Sequence, residues 1–541
     1  MERICIEGGL LYDGTPCPPR QADVLVENGS IAAVGHGFEN AEALHIDARG
    51  CIITPGFVDM HRHCDAEALH GEGFGRIELS QGITTAVAGN CGLSPVPVSA
   101  RGEAQAFYDY IEPVTGMPLS GTAAAGYSGY AQALDAARLP LNIGFLAAAG
   151  AIRYAVKGFE KAPLTAAERA RAAAYVSEAM EAGACGVSLG LMYRPECYTT
   201  PEEYDAILAP AAKHGGILCT HIRGEGDSLV ASVQEAIGIA ARVGIPLNIS
   251  HFKATGVRNW GSAIFRAMAC IEDARAMGQP VTADFYPYDG GSTTLLSLLP
   301  PSLLENVPKL DVFGTRFGRD MLYDALEREH PGWDNMARSI GWERIFISSA
   351  ALEQNRKAEG RSIVQLAREW GLERPSDAVA RLLAEENGRT GVIVMSMAWE
   401  DVRTVAALPY TALISDALYG GGGSPHPRLY GAFPCFLRKL VWEDALLPME
   451  QAIHKMTAMP AQRMGFADRG RIAPGYAADI AVFAPEEFRD TATYEHPCSL
   501  AQGMRHLLVN GVPVLQNGMM VENDAGYFVR RNGKEMKNGH L

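Results

Sequence analysis

The chain has 541 residues, a net charge of −15, and 48% hydrophobic against 20% charged residues. That length exceeds one small core and calls for two or more domains. The acidic balance excludes a nucleic-acid or anionic-membrane partner but leaves a small anionic substrate open, because local fields in a pocket override net charge. No run of about 18 apolar residues occurs, so no membrane-spanning helix is expected. The start, from Met1 to Gly9, has no apolar signal core. The 11 cysteines are scattered and odd in number, which makes no disulfide framework and points to a cytoplasmic setting.

Short β-like runs open the chain: Ile4–Ile6, Asp23–Glu27 and Ser30–Val34. Asn28-Gly29 between the last two is a hairpin signal. Matching runs recur far downstream at Ala478–Phe483 and Leu507–Val514. The economical reading is one small β-sandwich domain assembled from both ends, residues 1–56 and 461–541. The middle, 57–460, alternates strands and helices. Apolar runs lie at Ile53–Val58, Gly82–Ala88, Asn142–Leu146, Gly186–Leu191, Gly216–Thr220, Ile245–Ile249, Val281–Phe285 and Ala412–Ser415. Between them, Thr165 with Glu168 and Thr200 with Glu203 form capping boxes, the second with Pro201 at the first helical position. Leu229, Val230, Val233 and Ile237 stripe another helix. The class is α/β, and eight such strands fit a (β/α)8 barrel. The spacing breaks after Asp284, so a lid-like insertion is expected at about 290–345. Ile345–Ile347 and Gly391–Met395 are also strand-like, and their sheet is left open.

The candidate ligands sit where such barrels keep their chemistry, at strand C-termini. His61 and His63 are two apart at the end of the first strand and share a face. Cys91, His221, His251 and Asp416 each end or follow a later strand. Four imidazoles, a thiol and a carboxylate suit Zn²⁺, whose catalytic sites keep a position open for water. His214, His330, His454 and His540 read as solvated or capping groups. Cys51, Cys64, Cys185, Cys219 and Cys270 read as small core residues. Asp65, Arg223 and Glu225 read as outer supports of the ligands or ion pairs at the barrel mouth.

These motifs resemble the N-acyl-D-amino-acid deacylases of the metal-dependent amidohydrolase superfamily, over essentially the whole chain. Ala22–Val34, Pro55–His63 and Gly475–Asp479 are similar to the superfamily. Gly89-Asn-Cys-Gly92, His221–Glu225, Ser250–Lys253, Tyr286-Pro-Tyr288 and His426-Pro-Arg428 resemble the narrower family. The resemblance implies that Cys91, His221 and His251 hold one zinc tightly. It implies a second, weaker position lined by His61 and His63 and sharing Cys91. It implies Asp416 as catalytic acid/base, with Lys253, Arg428, Ser292 and a hydroxyl of Tyr286 or Tyr288 on the substrate carboxylate. The expected reaction is hydrolysis of the linear amide of a small N-acyl-D-amino acid. The competing reading, a hydantoinase- or dihydroorotase-like hydrolase of cyclic amides, lacks its lysine at the end of the fourth strand. Two departures stand out: Ala417 follows Asp416 where the family has glycine, and the glycine run Gly420–Gly423 precedes His426.

Overall fold

The computed structural model describes residues 3–38, 42–71, 73–305, 307, 309–328, 330, 333–420 and 422–532. Gly421, His540 and the stretch 533–541 of the expected C-terminal portion lie outside the described residues. Among the described residues, the two chain ends meet in one nine-stranded sheet. Its strands are Arg3–Leu11, Arg20–Glu27, Ser30–Gly35, Leu44–Asp47 and Ile52–Pro55 from the start, and Ile480–Phe483, Met504–Val509, Val512–Gln516 and Met519–Met520 from the end. The seam is Ile52–Pro55, parallel to Leu10–Leu11 on one side and antiparallel to Ile480–Phe483 on the other. Asn28 and Gly29 have φ of 53° and 79°, the positive values that a tight two-residue hairpin requires. Inward residues including Ile4, Ile6, Val24, Val26, Ile480 and Val482 form one apolar cluster. The expected sandwich is thus hydrogen-bonded as a continuous sheet rather than as two separate ladders.

Gly56 is the switch between sheets, and it divides the expected run Ile53–Val58. Its N–H donates to Asp479 O at 2.8 Å, whereas Phe57 N donates to Gly82 O at 2.9 Å. A Cβ at position 56 would stand 2.3 Å from the Thr84 side chain. The parallel strands then follow. Phe57–Asp59, Ile83–Ala88 and Asn142–Phe145 pair in one sheet; Ala147–Ala148, Gly186–Gly190, Ile217–His221, Leu247–Ile249, Val281–Phe285 and Thr411–Leu413 pair in another. Leu146 alone separates Asn142–Phe145 from Ala147–Ala148. On the opposite flank, Asp416 N donates to His61 O and His63 N to Ala417 O, both at 3.0 Å. Ile83–Ala88 and Ile217–His221 are buried along their whole length, as parallel strands covered on both faces must be. The helices Ala166–Ala182 and Pro201–Lys213 start at the capping boxes of Thr165 and Thr200, and Leu229–Val243 buries Leu229 and Val233.

Between Val281–Phe285 and Thr411–Leu413 the chain leaves the parallel sheet. Gly291–Thr294, Ile345–Ala350 and Thr390–Val394 form a separate antiparallel sheet. Leu295, Phe313, Leu322, Ile347, Leu383 and Val392 belong to an apolar cluster of its own. The inserted segment, expected over about 290–345, therefore reaches Val394, and both unplaced strand-like runs pair within it.

Candidate metal centre and active site

The C-terminal ends of the parallel strands surround a cavity that opens to solvent. His63, Cys91, His221, His251, Lys253, Tyr286, Ser292, Asp416 and Arg428 line it. His61 lies behind His63, with the ring centroids 5.5 Å apart. Cys91, His251 and Asp416 have φ of 55°, 36° and 50°, left-handed conformations that cost an ordinary residue about 1–2 kcal/mol. The turn at Cys91 is held from the neighbouring strand: Ser188 Oγ donates to Gly89 O, and Gly92 N donates to Ser188 Oγ at 3.0 Å. Gly190 passes beneath, where a Cβ would stand 2.0 Å from Cys91 O.

Cys91 Sγ is 3.3 Å from His61 Nε2 and 3.5 Å from His251 Nε2. Three buried sets each bring their donor atoms within 4.8 Å of one another: Cys91, His221 and His251; His61, His63 and Cys91; and His61, His251 and Asp416. Both ring nitrogens of His221 are buried without a hydrogen-bond partner. A tetrahedral zinc with bonds of about 2.0–2.3 Å separates its ligands by about 3.3–3.7 Å. The donor set, its spacing and the orphaned His221 nitrogens fit that ion.

The electrostatics agree. Burial resists ionisation of Cys91, yet the His61 charge and the imidazoles of His221 and His251 beside it hold its thiol well below the usual value. Burial likewise opposes charge on Asp416, but Arg428, His61 and His251 keep it well below the carboxylate range. Asp416 Oδ1 lies 3.3 Å from His61 Nε2 and 3.5 Å from His63 Nε2, and Oδ2 lies 2.9 Å from Arg428 Nη1. Burial lowers His221. His251 is raised to about 9, because Asp416, Glu225 and Cys91 outweigh burial and the charge of Lys253.

Arg428 is fully buried, with its guanidinium carbon 4.6 Å over the Tyr286 ring. Its Nη2 donates to Ser292 O at 3.4 Å, while Nε and Nη1 make no aligned hydrogen bond. The Tyr286 hydroxyl is also unpartnered. Tyr286 lines the cavity, whereas Tyr288 is not among the described lining residues and packs on His426 at a ring separation of 5.1 Å. Ser292 belongs to the inserted sheet, where its Oγ donates to Val392 O at 3.1 Å. Ala417 leaves the positive φ on Asp416 itself, and Ala417 O accepts from His63 N.

Two carboxylates stand against the candidate ligands. Glu225 Oε1 is 2.5 Å from Lys253 Nζ and 3.0 Å from His251 Nδ1. It fixes the ring so that Nε2 faces Cys91. Asp284 Oδ1 accepts from His251 N, and Oδ2 accepts from Asn248 Nδ2 at 2.6 Å and lies 3.9 Å from His61 Nδ1. Its signal was present: an acid next to last in the parallel strand Val281–Phe285.

The profile of the amidohydrolase family matches residues 45–312 and 319–515. The chain is 33% identical to a D-aminoacylase of Alcaligenes xylosoxydans xylosoxydans, covering 98% of this chain and 97% of that protein. It is 33% identical to an N-acyl-D-glutamate deacylase of the same organism, covering 94% and 93%. The crystal structure of an N-acyl-D-glutamate deacylase from Bordetella bronchiseptica holds zinc and a phosphonate that mimics the tetrahedral intermediate. It superposes with a TM-score of 0.80 at 31% identity, covering 97% of this chain and 99% of that one. The protein therefore belongs to the amidohydrolase family, in the group of the N-acyl-D-amino-acid deacylases.

Proposed function

We propose that the protein hydrolyses the amide bond of N-acyl-D-amino acids, releasing a carboxylate and a free D-amino acid. We infer that its parallel strands close into one (β/α)8 barrel over residues 57–460, flanked by the sheet of 1–56 and 461–541. The hydrogen bonds between the segments of His61 and Asp416 support closure. The observation that carries the reaction is Asp416, a carboxylate held ionised against His61, His63 and Arg428 where Cys91, His221 and His251 meet. The D-configuration is carried over from the relatives.

Cys91, His221 and His251 would hold one zinc tightly, and His61 and His63, with Cys91 between, a weaker second. Bound zinc acidifies a water and polarises the amide carbonyl. Asp416 takes the proton of the attacking water at Oδ1 and delivers it to the departing nitrogen. Arg428, whose Nε makes no hydrogen bond, grips the substrate carboxylate together with the Tyr286 hydroxyl. Lys253 and Ser292 flank that grip. A carboxylate that draws on the charge of Arg428 raises the proton affinity of Asp416, so the base strengthens when substrate arrives.

The test is turnover of N-acetyl-D-methionine against its L-isomer by the zinc-loaded enzyme. Asp416→Asn is expected to keep zinc and lose about 10²–10⁴-fold in kcat. Arg428→Ala is expected to raise KM about 10–100-fold. Near-normal turnover in Asp416→Asn removes its assigned role, and indifference to the D-isomer removes the proposed reaction.

A further inference from the structure

We infer that the cavity selects N-acyl-D-amino acids with neutral, apolar side chains and rejects those of D-glutamate and D-aspartate. This rests on the deacylase reading and narrows its substrate. Among the described residues lining the cavity, the only Lys and Arg are Lys253 and Arg428. Each already faces a carboxylate: Lys253 Nζ is 2.5 Å from Glu225 Oε1, and Arg428 Nη1 is 2.9 Å from Asp416 Oδ2. Arg428 has donors left for one carboxylate, the α-carboxylate that every such substrate carries.

A second carboxylate would meet the rest of the wall. Leu93, Val114, Met192, Met336, Val394 and Leu418 supply its apolar part, contributed by loops at several strand ends, by the helix Gln105–Thr115 and by the inserted segment. The hydroxyls beside them, including those of Thr255 and Ser396, are neutral, and several are engaged. Thr293 Oγ1 pairs with Ser297 Oγ at 3.0 Å and with Tyr193 OH at 3.3 Å, and Ser292 Oγ donates to a backbone carbonyl. The nearby fixed charges, Glu225 and Asp416, would repel an added anion. Burying an unpaired carboxylate forfeits its hydration with nothing to replace it, whereas an aliphatic side chain gains from the same surface. The argument does not depend on which part of the wall takes the acyl group and which the side chain, because neither carries a free cation.

The experiment compares kcat/KM of the zinc-loaded enzyme on N-acetyl derivatives of D-leucine, D-methionine, D-glutamine, D-glutamate and D-aspartate. D-Leucine and D-methionine are expected to exceed the two acidic substrates by on the order of 100-fold. D-Glutamine, which matches D-glutamate in size, is expected to fall between. Acidic substrates turned over as well as the apolar ones overturn the inference and leave the deacylase reading standing. Equal rejection of D-glutamine and D-glutamate overturns the charge argument. Failure to cleave any of the five overturns the deacylase reading instead. Met336→Arg and Met192→Lys, checked for folding and zinc content, each place a cation on a half-buried wall position. At least one is expected to shift the D-glutamate to D-leucine ratio upward about 10-fold or more; an unchanged ratio in both overturns the inference.

Discussion

Cys91, His251 and Asp416 share a left-handed backbone, and each brings a candidate site side chain to the same cavity. Cys91 belongs to two of the three buried donor sets, so its loss strikes both positions, whereas loss of His61 and His63 spares the set of Cys91, His221 and His251. Cys91→Ala is expected to abolish tight zinc binding, whereas His61→Ala with His63→Ala should leave about one zinc per chain. Metal analysis of dialysed protein checks this, and a full zinc complement in Cys91→Ala would refute it. Glu196 offers a second test near the same turn. It is buried, accepts from Gly190 N at 2.9 Å and from Tyr204 OH at 3.2 Å, and burial raises its carboxyl to about 8. In the unfolded chain the group ionises above about pH 4.3. The folded protein keeps the proton, so this contribution to stability is intact at low pH and is lost as pH rises towards 8. Glu196→Gln should therefore gain on the wild type between pH 5 and 8, by on the order of a few kcal/mol. Denaturant unfolding at the two pH values measures it, and a constant gap would show that Glu196 does not hold its proton. Cys91, His221 and His251 were legible because each closes an apolar run. That Tyr286 lines the cavity and Tyr288 does not was not legible, because local pattern does not say which side chain a loop turns inward.

The strands of the parallel sheet announce themselves as buried apolar runs, and their helices by capping boxes. The antiparallel strands Ile345–Ala350 and Thr390–Val394 carry the same apolar signature. Only their long-range pairing assigns them to the inserted segment, which is why its extent could not be read from spacing. Asp334 is one of the side chains that tie that segment to the strand-end loops. Asp334 accepts from Gly226 N at 2.7 Å and from Ser228 N at 3.1 Å, two residues before Met336 at the cavity wall. Asp334→Ala removes both acceptors and is expected to raise KM about 3–10-fold, with zinc content unchanged. Steady-state kinetics with metal analysis decides: an unaltered KM means that this tie does not shape the pocket.

On the scale of the whole molecule, the centre draws on residues from His61 to Arg428 and so ties together nearly every parallel strand. A metal held only by the folded chain stabilises it by mass action. Chelation is expected to lower the thermal midpoint by about 5 °C, and restoring zinc to return it; scanning calorimetry of the same sample in both states reads this directly. The seam at Ile52–Pro55 has a consequence of another kind. A ribosome delivers the five N-terminal strands long before Ile480–Phe483, which completes their sheet. Throughout that interval the nascent protein carries an open β-edge, the kind that invites pairing with a neighbour. Polysomes translating this message hold several such edges side by side. The moment of greatest aggregation risk thus falls before the last strands emerge, and a translational pause upstream of Ile480 would prolong it.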